Sequence, residues 1–283
     1  MGIYNIPDQE YRDMSGLSQS MAKRLLVSGK AFLAPRPQQS EAFKIGSLID
    51  QMVLTPETVG DNFVIPPDYA NCTGNVTATG ARSTSKNTAY VKERMSEFAR
   101  EHAGKQFISK EEWSSCAAIA ESVKAKSFYR KFMDDPTGRT QVAFDGLLNG
   151  VRCKGLADGL TSSLLFDLKT TRDATIKAFR SSFFKFGYGF QLRYYLDLLN
   201  QNGMDIPLDQ CYIIAAPKGV EPVDVTVYRI PVEWMEKAKD DIDVCLERYK
   251  RYREHAFNVG FDEGADWVWL NQDKLEVSFN ATF

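Results

Sequence analysis

The residues best suited to chemistry are Asp158 and the run Asp167-Leu168-Lys169. On a β-strand, residues i and i+2 project from one face, so Asp167 and Lys169 point the same way and Leu168 the other. The apolar run Leu164-Leu165-Phe166 before them reads as a buried strand, which sets a carboxylate and an ammonium at the edge of a core. If residues 152–158 pair with 163–169 as a hairpin, Asp158 reaches the same spot. Two carboxylates that close repel and shift their pKa values unless a divalent cation neutralises them. A hard cation such as Mg²⁺, held by one or two carboxylates and otherwise by water, suits such a site. An ammonium beside it can orient an attacking water and stabilise charge developing on a phosphate. The competing reading is a solvent-exposed hairpin whose Asp and Lys pair to little effect.

The elements that must position these residues follow from pattern. Residues 140–146, 150–157 and 163–169 read as three short strands separated by Gly and Asn turns. A helix over 174–201 follows, then strands at 210–216 and 223–230 and a long helix at 231–255. Gln191 and Tyr195 are i and i+4 on the first of these helices and share a face. Its early part interleaves Lys177, Arg180 and Lys185 with Phe179, Phe183, Phe184, Phe186, Tyr188 and Phe190, with Arg172 just before. Such a segment suits a phosphate backbone and unstacked bases, or equally a phenylalanine core with a solvated basic rim. Ser181 to Gly189, with two glycines, reads as a break and a candidate loop at the site entrance.

Upstream, helices are expected over 18–30, 41–54, about 88–103, and from the capping box Ser109-x-x-Glu112 to about 131. The 41–54 helix stops at Thr55-Pro56, and Asp50 sits among its apolar positions Phe43, Ile45, Leu48, Ile49, Met52 and Val53, a charge that is costly there unless paired or bound to a cation. Residues 70–89 are small and polar and read as a mobile loop, with Arg82 and Lys86 as secondary DNA-contact candidates. Helices first, then a strand-rich centre with a crossover helix, predict an α/β fold with a helical N-terminal region.

Composition sets bounds. Of 283 residues, 35 are basic and 37 acidic, a formal charge of -2. Any nucleic-acid partner must therefore be met by local patches. Hydrophobic residues at 43% and charged residues at 25% exclude collagen, coiled-coil, disordered and disulfide-rich classes. Five scattered cysteines without a CxxC pair, and two histidines, argue against zinc or iron–sulfur chemistry. No run approaches a membrane span, and the start lacks the apolar region of a signal peptide. The expectation is a cytoplasmic protein with reduced thiols.

The Asp158, Asp167-Leu-Lys169 pattern resembles the PD-(D/E)xK nuclease superfamily, and Gln191-x-x-x-Tyr195 on the next helix resembles its RecB-like subgroup. Residues 17–34, Gly46 to Glu57 with Leu54-Thr-Pro56-Glu57, Phe63-Val-Ile-Pro-Pro67, and Gly104 to Glu112 resemble the RecE-like (exonuclease VIII-type) phage recombination nucleases. The likeness runs from about residue 17 to 250. It implies a PD-(D/E)xK core, a central mixed sheet flanked by helices. The whole chain would be one nuclease domain: a mainly helical part at 1–138, a catalytic core at 139–255 and a tail at 256–283 packing on the body or a neighbouring subunit. It implies Mg²⁺, with Mn²⁺ as a substitute, held by Asp158, Asp167, the backbone carbonyl of Leu168 and Asp50. Asp50 stands where the family places a metal-linked histidine, and Gln141 stands near where relatives carry a glutamate. Lys169 would position the attacking water, while Gln191 and Tyr195 orient the metal site or the terminal phosphate. The activity implied is digestion of one strand of linear duplex DNA, 5′ to 3′, leaving 3′ overhangs for recombination. Expected partners are double-stranded DNA ends, further copies in a trimeric or tetrameric ring, and a single-strand annealing protein. Two readings stand beside this: a RecB-like endonuclease or repair nuclease of other polarity, and a catalytically weak DNA-binding or recombination-partner protein on the same fold.

Overall fold

The computed structural model describes residues 2–35, 40–219 and 223–254. In chain order these form β1 (Gly2–Tyr4), α1 (Asp8–Asp13), β2 (Leu17–Ser18), α2 (Gln19–Val27), α3 (Gly29–Leu33), α4 (Glu41–Leu54), α5 (Val59–Asn62) and β3 (Phe63–Val64). Then come α6 (Ala89–Glu101), β4 (Gln106–Phe107), α7 (Lys110–Lys124), α8 (Ser127–Asp134), β5 (Arg139–Leu148), β6 (Val151–Leu160) and β7 (Leu165–Thr171). The chain continues with α9 (Ile176–Phe186), α10 (Tyr188–Gln201), β8 (Cys211–Pro217), β9 (Thr226–Arg229) and α11 (Val232–Glu254). The expected tail, 256–283, lies outside the described residues.

Local chemistry explains the main boundaries. Ser40 caps α4 by accepting the Phe43 amide, and the helix stops before Pro56. Ser109 and Glu112 form the full reciprocal capping box of α7. Asn149 and Gly150 both hold positive φ, at 46° and 79°, between paired Leu148 and Val151. That is the two-residue turn geometry that a right-twisted hairpin favours, and it closes β5 on β6.

The main sheet is mixed and has seven strands, in the order β1-β5-β6-β7-β8-β9 with β2 added to β6. Strands β7 and β8 run parallel, joined by the α9–α10 crossover; their sequential neighbours in the sheet are antiparallel. Helices cover both faces. On one side Leu165, Ile213 and Ala215 pack with residues of α2, α9, α10 and α11. On the other, Phe166, Leu168, Ile214 and Ala216 pack with α4, α7 and α8. The alternation along β7 sends odd and even residues to opposite cores, so Asp167 and Lys169 fall on the α10 side. This is the expected central mixed sheet flanked by helices.

One departure from regular pairing matters most. Strand β6 pairs with β7 only at Gly159–Phe166 and Leu160–Leu165. Further back, the parallel strand β2 pairs with β6 at Cys153 and Lys154. Between these contacts the sheet forks, and Asp158 stands at the fork. The start of the chain is fixed over it: the buried Lys154 ammonium donates to the carbonyls of Tyr11, Arg12 and Met14, at 2.8, 3.0 and 2.6 Å.

Several boundaries differ from the sequence reading. The 18–30 helix is preceded by strand residues 17–18 and broken at Ser28, whose hydroxyl caps α3. The 109–131 helix divides into α7 and α8. The 174–201 helix divides at Gly187 alone, whose φ of 61° suits glycine. Ser181 to Gly189 is therefore a helix–helix corner and not an entrance loop. Loop 70–89 is organised around the fully buried Asn75, which donates to the carbonyls of Ala70 and Ser85 and accepts from the Thr88 hydroxyl.

Candidate functional site

At the fork, the Asp158 side chain takes the place of a missing strand partner. Its Oδ2 accepts the Leu168 backbone amide at 2.8 Å, and its Oδ1 accepts from Gln141 Nε2 at 3.2 Å. A residue's amide and carbonyl lie on the same edge of a strand, so the Leu168 carbonyl also faces the fork. Gln141 holds a φ of 50°, a left-handed conformation uncommon outside glycine, at the residue that touches Asp158.

Asp167 is 3% exposed. Its Oδ1 accepts from Gln191 Nε2 at 2.6 Å, and its Oδ2 lies 2.5 Å from Lys169 Nζ. Gln191 is itself buried, so α10 contributes a fixed donor that aims the carboxylate. Tyr195, one turn on, makes no hydrogen bond to either carboxylate; its ring packs edge-on against Phe144 at 5.3 Å. Burial raises its hydroxyl well above the usual tyrosine range, with the charges of Asp167 and Asp158 adding to the effect.

Asp50 comes from α4 in the opposite layer. Gly46, one turn earlier, allows this: a Cβ there would sit 3.2 Å from Thr170 Oγ1 on β7. Asp50 Oδ1 is buried without a hydrogen-bond partner. Burial pushes its carboxyl up to about 7, opposed by the Lys169 charge and reinforced by that of Asp167. Asp158 is likewise raised well above the carboxylate range, by burial and then by Asp167. Burial acts to lower the Lys169 pKa, yet Asp167 and Asp158 more than offset it and hold it above the usual lysine value. At neutral pH Lys169 is therefore an ammonium, able to donate but not to accept a proton.

Asp158, Asp167 and Asp50 thus act on one another electrostatically, with Lys169 as their common counter-charge. Among the described residues no three His, Cys, Asp or Glu side chains already converge as a closed chelate. Mg²⁺ does not require one, since it keeps several waters and binds through one or two carboxylates. An orphaned buried carboxylate oxygen on Asp50, two partly neutralised neighbours and an all-oxygen donor set fit such an ion. The thiols do not compete as ligands. Cys116, Cys153, Cys211 and Cys245 are buried, and burial raises Cys116 to about 11 and Cys211 and Cys245 to about 12.

Two residues near the carboxylates escaped the sequence reading. Lys23, on α2, donates to the carbonyls of Phe186 and Gly187 at 3.0 and 3.4 Å. Burial lowers its pKa to about 8, helped by repulsion from Lys169 and opposed by attraction to Asp167. Tyr188 lies beneath Lys169, with Nζ 5.3 Å from its ring centroid. Neither had a local signal: a lysine on an amphipathic helix reads as solvent face, and Tyr188 was one aromatic among several. The basic candidates Lys177, Arg180 and Lys185 lie exposed on α9, and Arg172 lies exposed just after β7. Arg82 and Lys86 are exposed on the 70–89 loop, and no described bond ties them to the fork.

A model of the PDDEXK-like domain of unknown function (DUF3799) matches residues 18–266. A candidate exonuclease from Eubacterium rectale, known from its crystal structure, shares the fold at a TM-score of 0.57 and 16% identity, over 89% of this chain and 88% of that one. The structure of SSO0001 aligns at a TM-score of 0.25 and 16% identity, over 70% of this chain and 85% of that one, too weakly to carry an argument. No curated protein matches the chain in sequence.

Proposed function

Because the chain belongs to the PDDEXK-like domain family of unknown function (DUF3799), within the PD-(D/E)xK nuclease superfamily, we propose that it is a divalent-metal-dependent deoxyribonuclease. Its substrate is linear double-stranded DNA, of which it degrades one strand, 5′ to 3′, leaving 3′ overhangs for recombination. The observation that carries this reading is the forked sheet edge, where Asp158 bonds the Leu168 amide and Asp167 pairs with Lys169, electrostatically linked to an Asp50 that keeps one oxygen unpartnered. The finer RecE-like assignment, the ring of copies and the annealing partner rest on the ordered motifs of the sequence.

Asp158, Asp167, the Leu168 carbonyl and Asp50 would hold Mg²⁺, or Mn²⁺ in its place. When bound, the ion supplies Lewis-acid activation of water and of the scissile phosphate. The chain's own residues do the rest. Gln191 fixes the rotamer of Asp167 through Oδ1, leaving Oδ2 directed into the fork. The Leu168 amide and Gln141 fix Asp158 in the same way. Lys169, kept cationic by both carboxylates, donates to the attacking water and to the phosphate oxygen on which charge builds. Tyr195 supports the floor of the site against Phe144.

The test is digestion of linear duplex labelled at its 5′ or 3′ end, with Mg²⁺ and with chelator, alongside a covalently closed circle. The reading predicts Mg²⁺-dependent release of the 5′ label, persistence of the 3′ overhang strand and an untouched circle. Cleavage of the circle would favour an endonuclease. Binding without cleavage in either metal would favour a catalytically weak DNA-binding protein.

A further inference from the structure

Helix α9 answers the question its sequence left open, because its aromatics divide. Phe179 and Phe183 are core, each 3% exposed, while Phe184 and Phe186 are 54% and 52% exposed. Two residues apart on a helix, the exposed pair lies on opposite sides of α9: Phe184 stands with Lys177 and Arg180, and Phe186 with the neighbouring Lys185 on the side that leads to Tyr188; α9 holds no acidic residue. The cations sit over rings: Lys185 Nζ is 5.5 Å from the Phe186 centroid, and Arg180 is 5.6 Å from that of Trp234, which itself packs 4.7 Å from Phe184.

The Phe186 side of α9 leads to the fork. Phe186 lies 5.8 Å from Tyr188, and Tyr188 lies 5.3 Å below the Lys169 ammonium that pairs with Asp167. Lys23 bonds the carbonyls of Phe186 and Gly187 and so fixes the corner at which the ladder turns. An exposed ring beside a cation, on a helix that carries no acid, complements a ligand that offers flat apolar faces on a polyanionic string. A duplex keeps its base faces stacked inside, so it satisfies the cations but not the rings. An unpaired strand satisfies both.

We propose that the exposed α9 face centred on Phe186 is a stacking platform for unpaired bases of a single DNA strand, leading that strand to the Lys169 fork. This deepens the nuclease reading and rests on it for the strand's destination, but strand binding by α9 is measurable without any cleavage. The platform gives the protein affinity for a strand once it is unpaired, separate from its grip on duplex phosphates.

The experiment is fluorescence anisotropy of a labelled oligothymidylate, and of an abasic oligomer with the same phosphates, titrated with full-length protein in chelator. Wild type should bind the oligothymidylate roughly ten- to hundredfold more tightly than the abasic strand. Phe186→Ala should remove most of that preference, and Phe184→Ala, on the other side of the helix, should leave it. Phe186→Trp should keep it. Lys185→Gln should weaken both ligands alike. Matched melting temperatures of the variants establish that they are folded, as expected for exposed positions. Equal wild-type affinity for the two oligomers, or a Phe186→Ala variant that retains the preference, would overturn the proposal. So would no oligonucleotide binding at all, which would reassign the face to an acidic protein partner. Loss of Mg²⁺-dependent digestion with the base preference intact would instead strike the nuclease reading alone.

Discussion

Asp50 shows how much one residue can say. It is the one acid within the apolar run of α4, and one of its oxygens is buried with no hydrogen-bond partner. A buried polar atom left unpaired costs about 1–3 kcal/mol, so its retention calls for a reason, and a cation at the fork supplies one. The same burial gives a pH signature to the metal-free protein. The folded carboxyl titrates at about 7, above its ordinary value of 3.8. Between those two values the folded state holds a proton that the unfolded state has lost, so stability from this group falls as pH rises through that window. Melts in chelator should therefore show wild type losing more stability than Asp50→Asn between about pH 5 and about pH 8. Added Mg²⁺ at the higher pH should then raise the wild-type melting temperature more than that of the variant. Parallel pH dependences for the two proteins would remove Asp50 from the site.

At the scale of elements, the site depends on how closely α4 approaches β7. Gly46 sets that distance, because any side chain there meets Thr170. Gly46→Val should cost about 1–3 kcal/mol through overpacking and should also weaken Mg²⁺ binding by shifting Asp50, as read by thermal melts and calorimetry. Adding Thr170→Ala should restore part of both, since the two residues are in contact. Strictly additive losses would mean that Gly46 acts elsewhere. Much of this arrangement was legible in sequence. Period-two alternation put Asp167 and Lys169 on one face, Gly and Asn turns separated the three central strands, and the Ser109–Glu112 capping box marked α7. Features set by distant contacts were not legible. The two glycines of Ser181 to Gly189 showed that the helix breaks there, but not that the break is a one-residue corner at Gly187 with helix on both sides. Strand β2 consists of two residues held by β6, and Lys23 comes near the fork only because β2 and the Lys154 anchor place α2 above it.

For the whole molecule, a near-neutral chain concentrates part of its positive charge on α9, where the proposed strand would run. The charge of -2 is the sum of 35 basic and 37 acidic residues, yet α9 is basic without an acid and ends beside the catalytic candidates. Such placement lets a nearly neutral surface coexist with a local attraction for DNA. No helix among the described residues is long and apolar enough to cross a membrane. The family match over residues 18–266 takes in both helical layers and strands β5 to β9, so the N-terminal helices that deliver Lys23 and Asp50 belong to the same domain match as the Asp158–Lys169 hairpin. The most direct measurement of the central claim is the rate at which Lys169→Ala digests linear duplex in Mg²⁺, taken with its melting temperature and its Mg²⁺ affinity. A fold and metal site that survive while the rate falls by about 10²-fold or more is the predicted result, since Lys169 acts on the reacting phosphate. Digestion at the wild-type rate by the folded variant would contradict the account.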